Sequence, residues 1–274
     1  MQIRPNDVLK RILYIPIALY LGLAVYAFFF SDSAIFQPHP SSYRDTPEIL
    51  KLTSTNGNKI SALYLPNASA KFTLLVSHGN AEDLDDDRDW LEKLRRAGFS
   101  VFAYDYQGYG TSEGKPSEQA LYDDENAAYD YLIATLTATP DHIIIFGRSV
   151  GSGPAVHIAA RRPAAGLILQ SAFVSTFRVL TRIPILPFDK FPNSRDIRRV
   201  HCPVLIMHGT ADSVIDLWHG QKLYDLANEP KQSFWVKGAG HNDLDLVAGA
   251  GYIEALQKFA ALLESRTNTS GTGR

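Results

Sequence analysis

Cysteine is almost absent: Cys202 is the only one in 274 residues. A single thiol cannot close an internal disulfide, and it cannot build a zinc or iron–sulfur site. Excess charge of either sign is missing too, with 27 Lys+Arg against 29 Asp+Glu and a net charge of −2. That balance argues against a nucleic-acid partner, whose binding needs a basic face to displace counterions. The dinucleotide fingerprint Gly-x-Gly-x-x-Gly does not occur, and residues 41–264 contain no internal repeat and no low-complexity linker. What is present is a composition 45% hydrophobic and 20% charged. That is too apolar for wholesale disorder, and the length suits one large α/β domain or two small ones.

The longest stretch without a charge is Ile12–Ser31, ILYIPIALYLGLAVYAFFFS. As a helix its 20 residues reach about 30 Å, the thickness of a bilayer core, so residues 1–31 read as an N-terminal membrane anchor. Two alternatives stay open. A signal peptide would be cleaved near Ser31-Asp32-Ser33-Ala34, and a core helix would bury the stretch instead. Arg4, Lys10 and Arg11 precede it and no Lys or Arg follows until Arg44. The positive-inside rule then keeps the N-terminus cytoplasmic and puts the remainder outside, as a single-pass protein or, after cleavage, a secreted one. At the other end, residues 265–274 (SRTNTSGTGR) carry no apolar side chain and read as a disordered tail.

Between them, residues 41–264 alternate in period. Ile49–Ser54 and Lys59–Leu65 flank Asn56-Gly57, a hairpin turn signal. Phe72–Ser77, Phe99–Tyr104, Ile143–Phe146, Leu167–Leu169, Pro203–Met207 and Ser233–Val236 are short apolar runs of the kind that make strands buried on both faces. Helical spacing appears over Asp85–Ala97, Ser117–Leu136, Val150–Arg161 and Leu217–Ala227, and again through Tyr252, Leu256, Phe259 and Leu263. A hairpin followed by alternating β and α elements predicts one α/β domain with a doubly wound, mostly parallel sheet.

Gly147-Arg148-Ser149-Val150-Gly151 matches Gly-x-Ser-x-Gly, with the strand IIIF before it and a helical pattern after it. A serine on a tight strand-to-helix turn projects its hydroxyl out of the sheet, and the helix N-terminus aims backbone N–H groups at a developing oxyanion. The competing reading is a Gly-rich phosphate-binding turn. Ser149 needs a base, and His241 in Gly238-Ala239-Gly240-His241-Asn242-Asp243 lies beyond a strand end, where active sites of open α/β sheets lie. His157 and His219 sit in predicted helices, while His78 and His208 end strands and support loops. Asp212 follows the strand PVLIM and supplies the acid; Asp216, four residues on, is the rival and would serve as a helix cap. The order Ser149…Asp212…His241 is the one expected of this motif. Ser77-His78-Gly79-Asn80-Ala81 occupies the place of the second oxyanion donor, so the hole is assigned to the backbone N–H groups of Asn80 and Val150.

The stretches SHGNAEDL (Ser77–Leu84), YDYQGYGTSEGKPSE (Tyr104–Glu118), GRSVGSGPAV (Gly147–Val156), HGTADSVID (His208–Asp216) and GAGHND (Gly238–Asp243) resemble the α/β-hydrolases of the serine aminopeptidase-like branch. Within it the chain is most similar to membrane-tethered α/β-hydrolase-domain proteins whose best-known members remove palmitate from proteins. The resemblance implies an eight-stranded α/β-hydrolase fold, a Ser-Asp-His triad, and neither metal nor organic cofactor. Depalmitoylating members carry a lipidated N-terminal cysteine cluster, which this chain lacks. The expectation is therefore a membrane-anchored serine hydrolase acting on a small-molecule or lipid-like ester or thioester. An amidase or aminopeptidase with the same triad, and a non-catalytic hydrolase-fold scaffold, are the alternatives. Residues 171–200 form the only sizeable insertion, rich in Phe, Leu and Ile and broken by Pro184, Pro187 and Pro192. It would wall an acyl pocket, touch the bilayer, or merely cover the sheet.

Overall fold

In the structure, a computed structural model that describes residues 5–271, the Asn56-Gly57 turn reverses the chain as expected. Strands β1 (Ile49–Thr53) and β2 (Lys59–Leu65) pair antiparallel across it, with Gly57 at φ +92°. A positive φ at that place in a tight turn is a conformation glycine adopts without a Cβ clash. The apolar runs become β3 (Thr73–Ser77), β4 (Ser100–Tyr104), β5 (Ile143–Arg148), β6 (Gly166–Gln170), β7 (Val204–Gly209) and β8 (Lys231–Val236). The eight strands lie in the order β1-β2-β4-β3-β5-β6-β7-β8, antiparallel at β1–β2 and β2–β4 and parallel from there on. The chain winds from β3 out to β4, then crosses back to β5 on the other side of β3. That reversal opens a crevice beyond the carboxyl ends of β3 and β5, the place where such sheets bind ligands.

Alternation decides which side chains face which layer. Leu74, Val76, Ile144, Phe146, Ile168 and Met207 point to one face, fully buried, where Leu91 and Leu94 of α2 (Arg88–Arg96) and Leu256 and Phe259 of α9 (Ala250–Gly271) join them. On the opposite face α4 (Ser152–Ala159) packs on β5 and β6, with α3 (Glu118–Ala134) beside it, while α7 (Trp218–Leu226) contacts β7 and α8 (Leu244–Ala248) contacts β8. Ser117 caps α3, its hydroxyl accepting the Ala120 N–H at 3.1 Å. This helix buries two adjacent carboxyls. Asp124 is satisfied by Ser54, by the Gln107 side-chain amide and by the Gln107 backbone N–H, yet burial still pushes it up to about 6. Glu125 is completely buried with neither oxygen hydrogen-bonded, and burial lifts it well above the carboxylate range.

Three boundaries differ from the sequence reading. Helix α2 starts at Arg88 rather than Asp85, because the Asp83 carboxylate accepts the N–H groups of Asp85 and Asp86 at 3.1 and 3.3 Å and holds a turn there. The helix after the Gly-x-Ser-x-Gly motif begins as a 3₁₀ turn, Ser149–Gly151, before α4. Helix α9 runs on through Gly271, taking in residues assigned by composition to a tail, while residues 272–274 lie outside the described residues. Once Leu256, Phe259 and Leu263 dock the helix, each further residue adds a backbone hydrogen bond without a new nucleation cost.

The insertion 171–200 folds into single turns, α5 (Phe177–Leu180), α6 (Asn193–Asp196) and the 3₁₀ turn Ile197–Arg199, and divides in two by burial. Phe173, Phe191 and Ile197 are buried, and a Cβ on Gly153 of α4 would meet the Phe191 ring at 2.2 Å. Leu180, Ile183 and Ile185 are exposed. The chain divides into the units Met1–Gln37 and Pro38–Arg274. In the first, α1 (Pro5–Ile35) is a continuous helix whose Tyr14–Ile35 portion is long and apolar enough to cross a membrane, with its large side chains exposed, as at Leu19 and Phe29. Arg4 lies outside the described residues.

Candidate active site

Ser149 stands at the end of β5 with φ +52°, a left-handed conformation that costs a non-glycine residue energy and persists where surrounding structure enforces it. The enforcement comes from its glycines. A Cβ on Gly147 would lie 2.6 Å from both the Ala155 Cβ and the Gly151 carbonyl oxygen. One on Gly151 would lie 2.1 Å from the Ser77 carbonyl oxygen and 2.6 Å from that of His78. The turn is therefore pressed against the end of β3. Gly151→Ala is expected to destabilise the fold by about 1–3 kcal/mol, the usual cost of overpacking, read as a lowered Tm. An unchanged melt would mean the turn has room that this geometry denies.

Strand β7 ends in Val204–Gly209, and the loop after it carries Asp212. Its Oδ1 accepts the N–H groups of Val214 and Ile215 at 2.9 and 2.8 Å, and its Oδ2 accepts Nδ1–H of His241 at 2.8 Å. On the far side of the ring, His241 Nε2 lies 2.9 Å from the Ser149 hydroxyl, placed to accept its proton. His208 donates Nε2–H to the Ile215 carbonyl at 2.8 Å and lies 3.4 Å from Asp212 Oδ2. Burial pushes the Asp212 carboxyl up, but hydrogen bonds from His208, His241 and the Ile215 N–H outweigh it and hold Asp212 well below the carboxylate range. The rival Asp216 is exposed and pairs with Arg182 at 3.2 Å.

Asn80 and Val150 lie at the carboxyl ends of adjacent strands, β3 and β5, in segments that the Gly151 contact brings together. The Asn80 side chain is otherwise engaged. Its Oδ1 accepts the Tyr109 hydroxyl at 2.6 Å and the Ala81 N–H at 3.1 Å. Three other histidines are structural. His78 is buried, with Nδ1 donating to the Gly79 carbonyl at 2.7 Å; His219 accepts the Val174 N–H at 3.2 Å; His157 stacks on Tyr122 at 3.6 Å. A grouping with metal-ligand spacing, His39, Asp83 and Asp86, is already engaged within the protein. His39 Nε2 meets Asp86 at 2.9 Å, and Asp83 accepts the Ser42 N–H at 2.8 Å.

Sequence reasoning missed two residues beside the site. Arg148, to which the motif assigns no role, is only 15% exposed and pairs with Glu82. The one signal available was a charged residue placed between an apolar strand and a tight turn.

The sequence matches the family model described as serine aminopeptidase over residues 68–187. It is 41% identical over 235 residues to the α/β-hydrolase domain-containing protein 17B of Xenopus laevis, covering 84% of this chain and 81% of that one. The human 17B protein is 40% identical over 235 residues, with the same coverages. The mouse 17C protein is 40% identical over 220 residues, covering 78% of this chain and 68% of the relative. Among solved structures, an esterase of Pyrococcus furiosus superimposes with a TM-score of 0.69 at 17% identity, over 82% of this chain and 98% of that one. An esterase of a Rhodococcus species gives 0.63 at 19% identity, over 79% and 99%. These likenesses establish the fold: an α/β-hydrolase sheet, antiparallel at its first strands.

Proposed function

This chain belongs to the α/β-hydrolase domain-containing protein 17 family of α/β-hydrolases, and on that premise we propose that it is a serine hydrolase cleaving an ester or thioester through an acyl-enzyme on Ser149. The observation that carries the reading is His241 itself, one ring nitrogen 2.8 Å from Asp212 and the other 2.9 Å from Ser149. In this mechanism His241 Nε2 takes the Ser149 proton as Oγ attacks the carbonyl carbon. Asp212 holds the tautomer with hydrogen on Nδ1 and stabilises the imidazolium that forms. The N–H groups of Asn80 and Val150 receive the oxyanion. Collapse of the tetrahedral intermediate sends the His241 proton to the leaving oxygen or sulfur, and a water activated by His241 then releases the acid and restores Ser149. No step calls on a metal or an organic cofactor.

In the same reading, the apolar helix within residues 1–31 anchors the protein to a membrane. The basic residues Arg4, Lys10 and Arg11 keep the N-terminus cytoplasmic and the catalytic unit outside. Cleavage of that helix as a signal sequence would release the same enzyme.

A fluorophosphonate probe applied to the full chain is expected to label the wild type and not Ser149→Ala, with p-nitrophenyl esters turned over faster than aminoacyl amides. Absence of labelling would leave a scaffold that merely has the hydrolase fold, and a preference for the amides would make the enzyme an amidase.

A further inference from the structure

The side chain next to the nucleophile turns inward. Arg148 pairs through its guanidinium with Glu82, lies 3.2 Å from Asp87 and stacks 4.9 Å over the Trp90 ring. Trp90 Nε1 donates to the Tyr252 hydroxyl at 3.1 Å, and that hydroxyl donates to Gln170 Oε1 on β6 at 2.8 Å. The cation is thus fixed to α2, α9 and the sheet. A partly buried ion pair gains little stability over apolar packing, so its presence asks for another reason.

The reason lies on the far oxygen of Glu82. Its Oε2 accepts the Gly79 N–H at 3.0 Å, and a Cβ on Gly79 would fall 2.5 Å from that oxygen. The Gly79 carbonyl, on the other peptide group of the same residue, accepts Nδ1–H of His78 at 2.7 Å. His78 is itself held, with Nε2 3.4 Å from Asp105 and its carbonyl accepting the Tyr106 hydroxyl at 2.6 Å. Both peptide groups flanking Gly79 are therefore clamped. The second of them contains the Asn80 N–H, and in a planar trans peptide that N–H points opposite to the carbonyl held by His78.

We propose that Arg148 and Glu82 are positioning residues that, with His78, clamp the peptide groups on either side of Gly79 and so aim the Asn80 N–H at the oxyanion formed on Ser149. The inference rests on the serine-hydrolase reading. Arg148 ties the aim of the donor to the nucleophile's own turn, because it is bonded directly to Ser149. Neither side chain touches the reacting atoms.

The test uses the full chain in detergent micelles with a p-nitrophenyl ester. Glu82→Ala and Arg148→Met are expected to lose about 10–100-fold in kcat, part of the effect of deleting an oxyanion donor, with KM little changed. Glu82→Gln, which keeps an acceptor for the Gly79 N–H, should recover most of the loss. Affinity for an alkyl boronic acid, which forms a tetrahedral adduct on Ser149, should fall in step with kcat, an effect that general loosening of the fold does not produce. Adding Glu82→Ala to Asn80→Pro should cost little more, since both act on one donor.

A Glu82→Ala chain that melts normally and keeps its kcat overturns the proposal, and so does an additive double variant. Should Arg148→Met fail to fold, the comparison of Glu82→Gln with Glu82→Ala decides alone. Probe labelling of wild-type Ser149 separates the two failures. An unlabelled wild type sinks the hydrolase reading itself, whereas a labelled wild type with an undiminished Glu82→Ala sinks only the positioning role.

Discussion

Ser149→Ala and His241→Ala are each expected to lower kcat for ester hydrolysis by about 10⁴–10⁶-fold, because members of such a triad act as a unit. Both are measured in a chain whose Tm is little changed. Alanine leaves the strained backbone at Ser149 to its glycine neighbours, and His241 sits in a loop rather than in the core. Asp212→Asn should cost less than either, since the amide can keep one N–H acceptor while presenting the wrong group to His241. It should still cost far more than Asp216→Asn, whose carboxylate is 54% exposed and pairs with Arg182. Rates in which Asp216→Asn proved the more damaging of the two would overturn the assignment of the acid, whatever the structure's distances.

Asn80→Pro is expected to lose ~10²–10³ in kcat, the effect of deleting one oxyanion donor, because proline has no backbone N–H. Asn80→Ala keeps that N–H and should lose less than about tenfold. Its loss is not expected to be nil: the Asn80 side chain is a strut that accepts the Tyr109 hydroxyl at 2.6 Å. The two rates are compared only between variants with a normal thermal melt, since proline also constrains the turn. Equal losses would make the side chain the working group and require a differently built hole.

How much of this the sequence discloses depends on how local the signal is. The hairpin at Asn56-Gly57, the order of strands and helices, and the serine turn each follow from residues within a few positions of one another. The meeting of Ser149, Asp212 and His241 follows less directly, from where strand ends must lie in a doubly wound sheet. Long-range polar pairings left no local trace. Glu82 sits in the loop after β3 and Arg148 at the end of β5, and nothing in the pattern AEDL or GRSV says which charge turns inward. The start of α2 is not legible in the apolar spacing, because Asp83 upstream captures the N–H groups of Asp85 and Asp86. Residues 171–200 were legible as an apolar insertion but not in their division. Which of Phe191 and Ile183 finds a niche depends on Gly153, on a helix laid down earlier in the chain.

The two carboxyls buried on α3 take up protons on folding wherever the pH lies between their unfolded and folded values. Asp124 rises from 3.8 to about 6 on folding, and Glu125 rises above its ordinary value as well. A raised carboxyl favours the folded state fully at pH below its unfolded value, and that contribution is lost as pH climbs through the folded value. For Asp124 the loss therefore falls between pH 3.8 and about 6. Asp212 has the opposite sign: its depressed carboxyl stabilises the fold above pH 3.8, and that contribution fades only as acid overtakes the folded value. Mild acid therefore favours the fold through the α3 carboxyls while Asp212 stays ionised, and only stronger acid removes what Asp212 contributes.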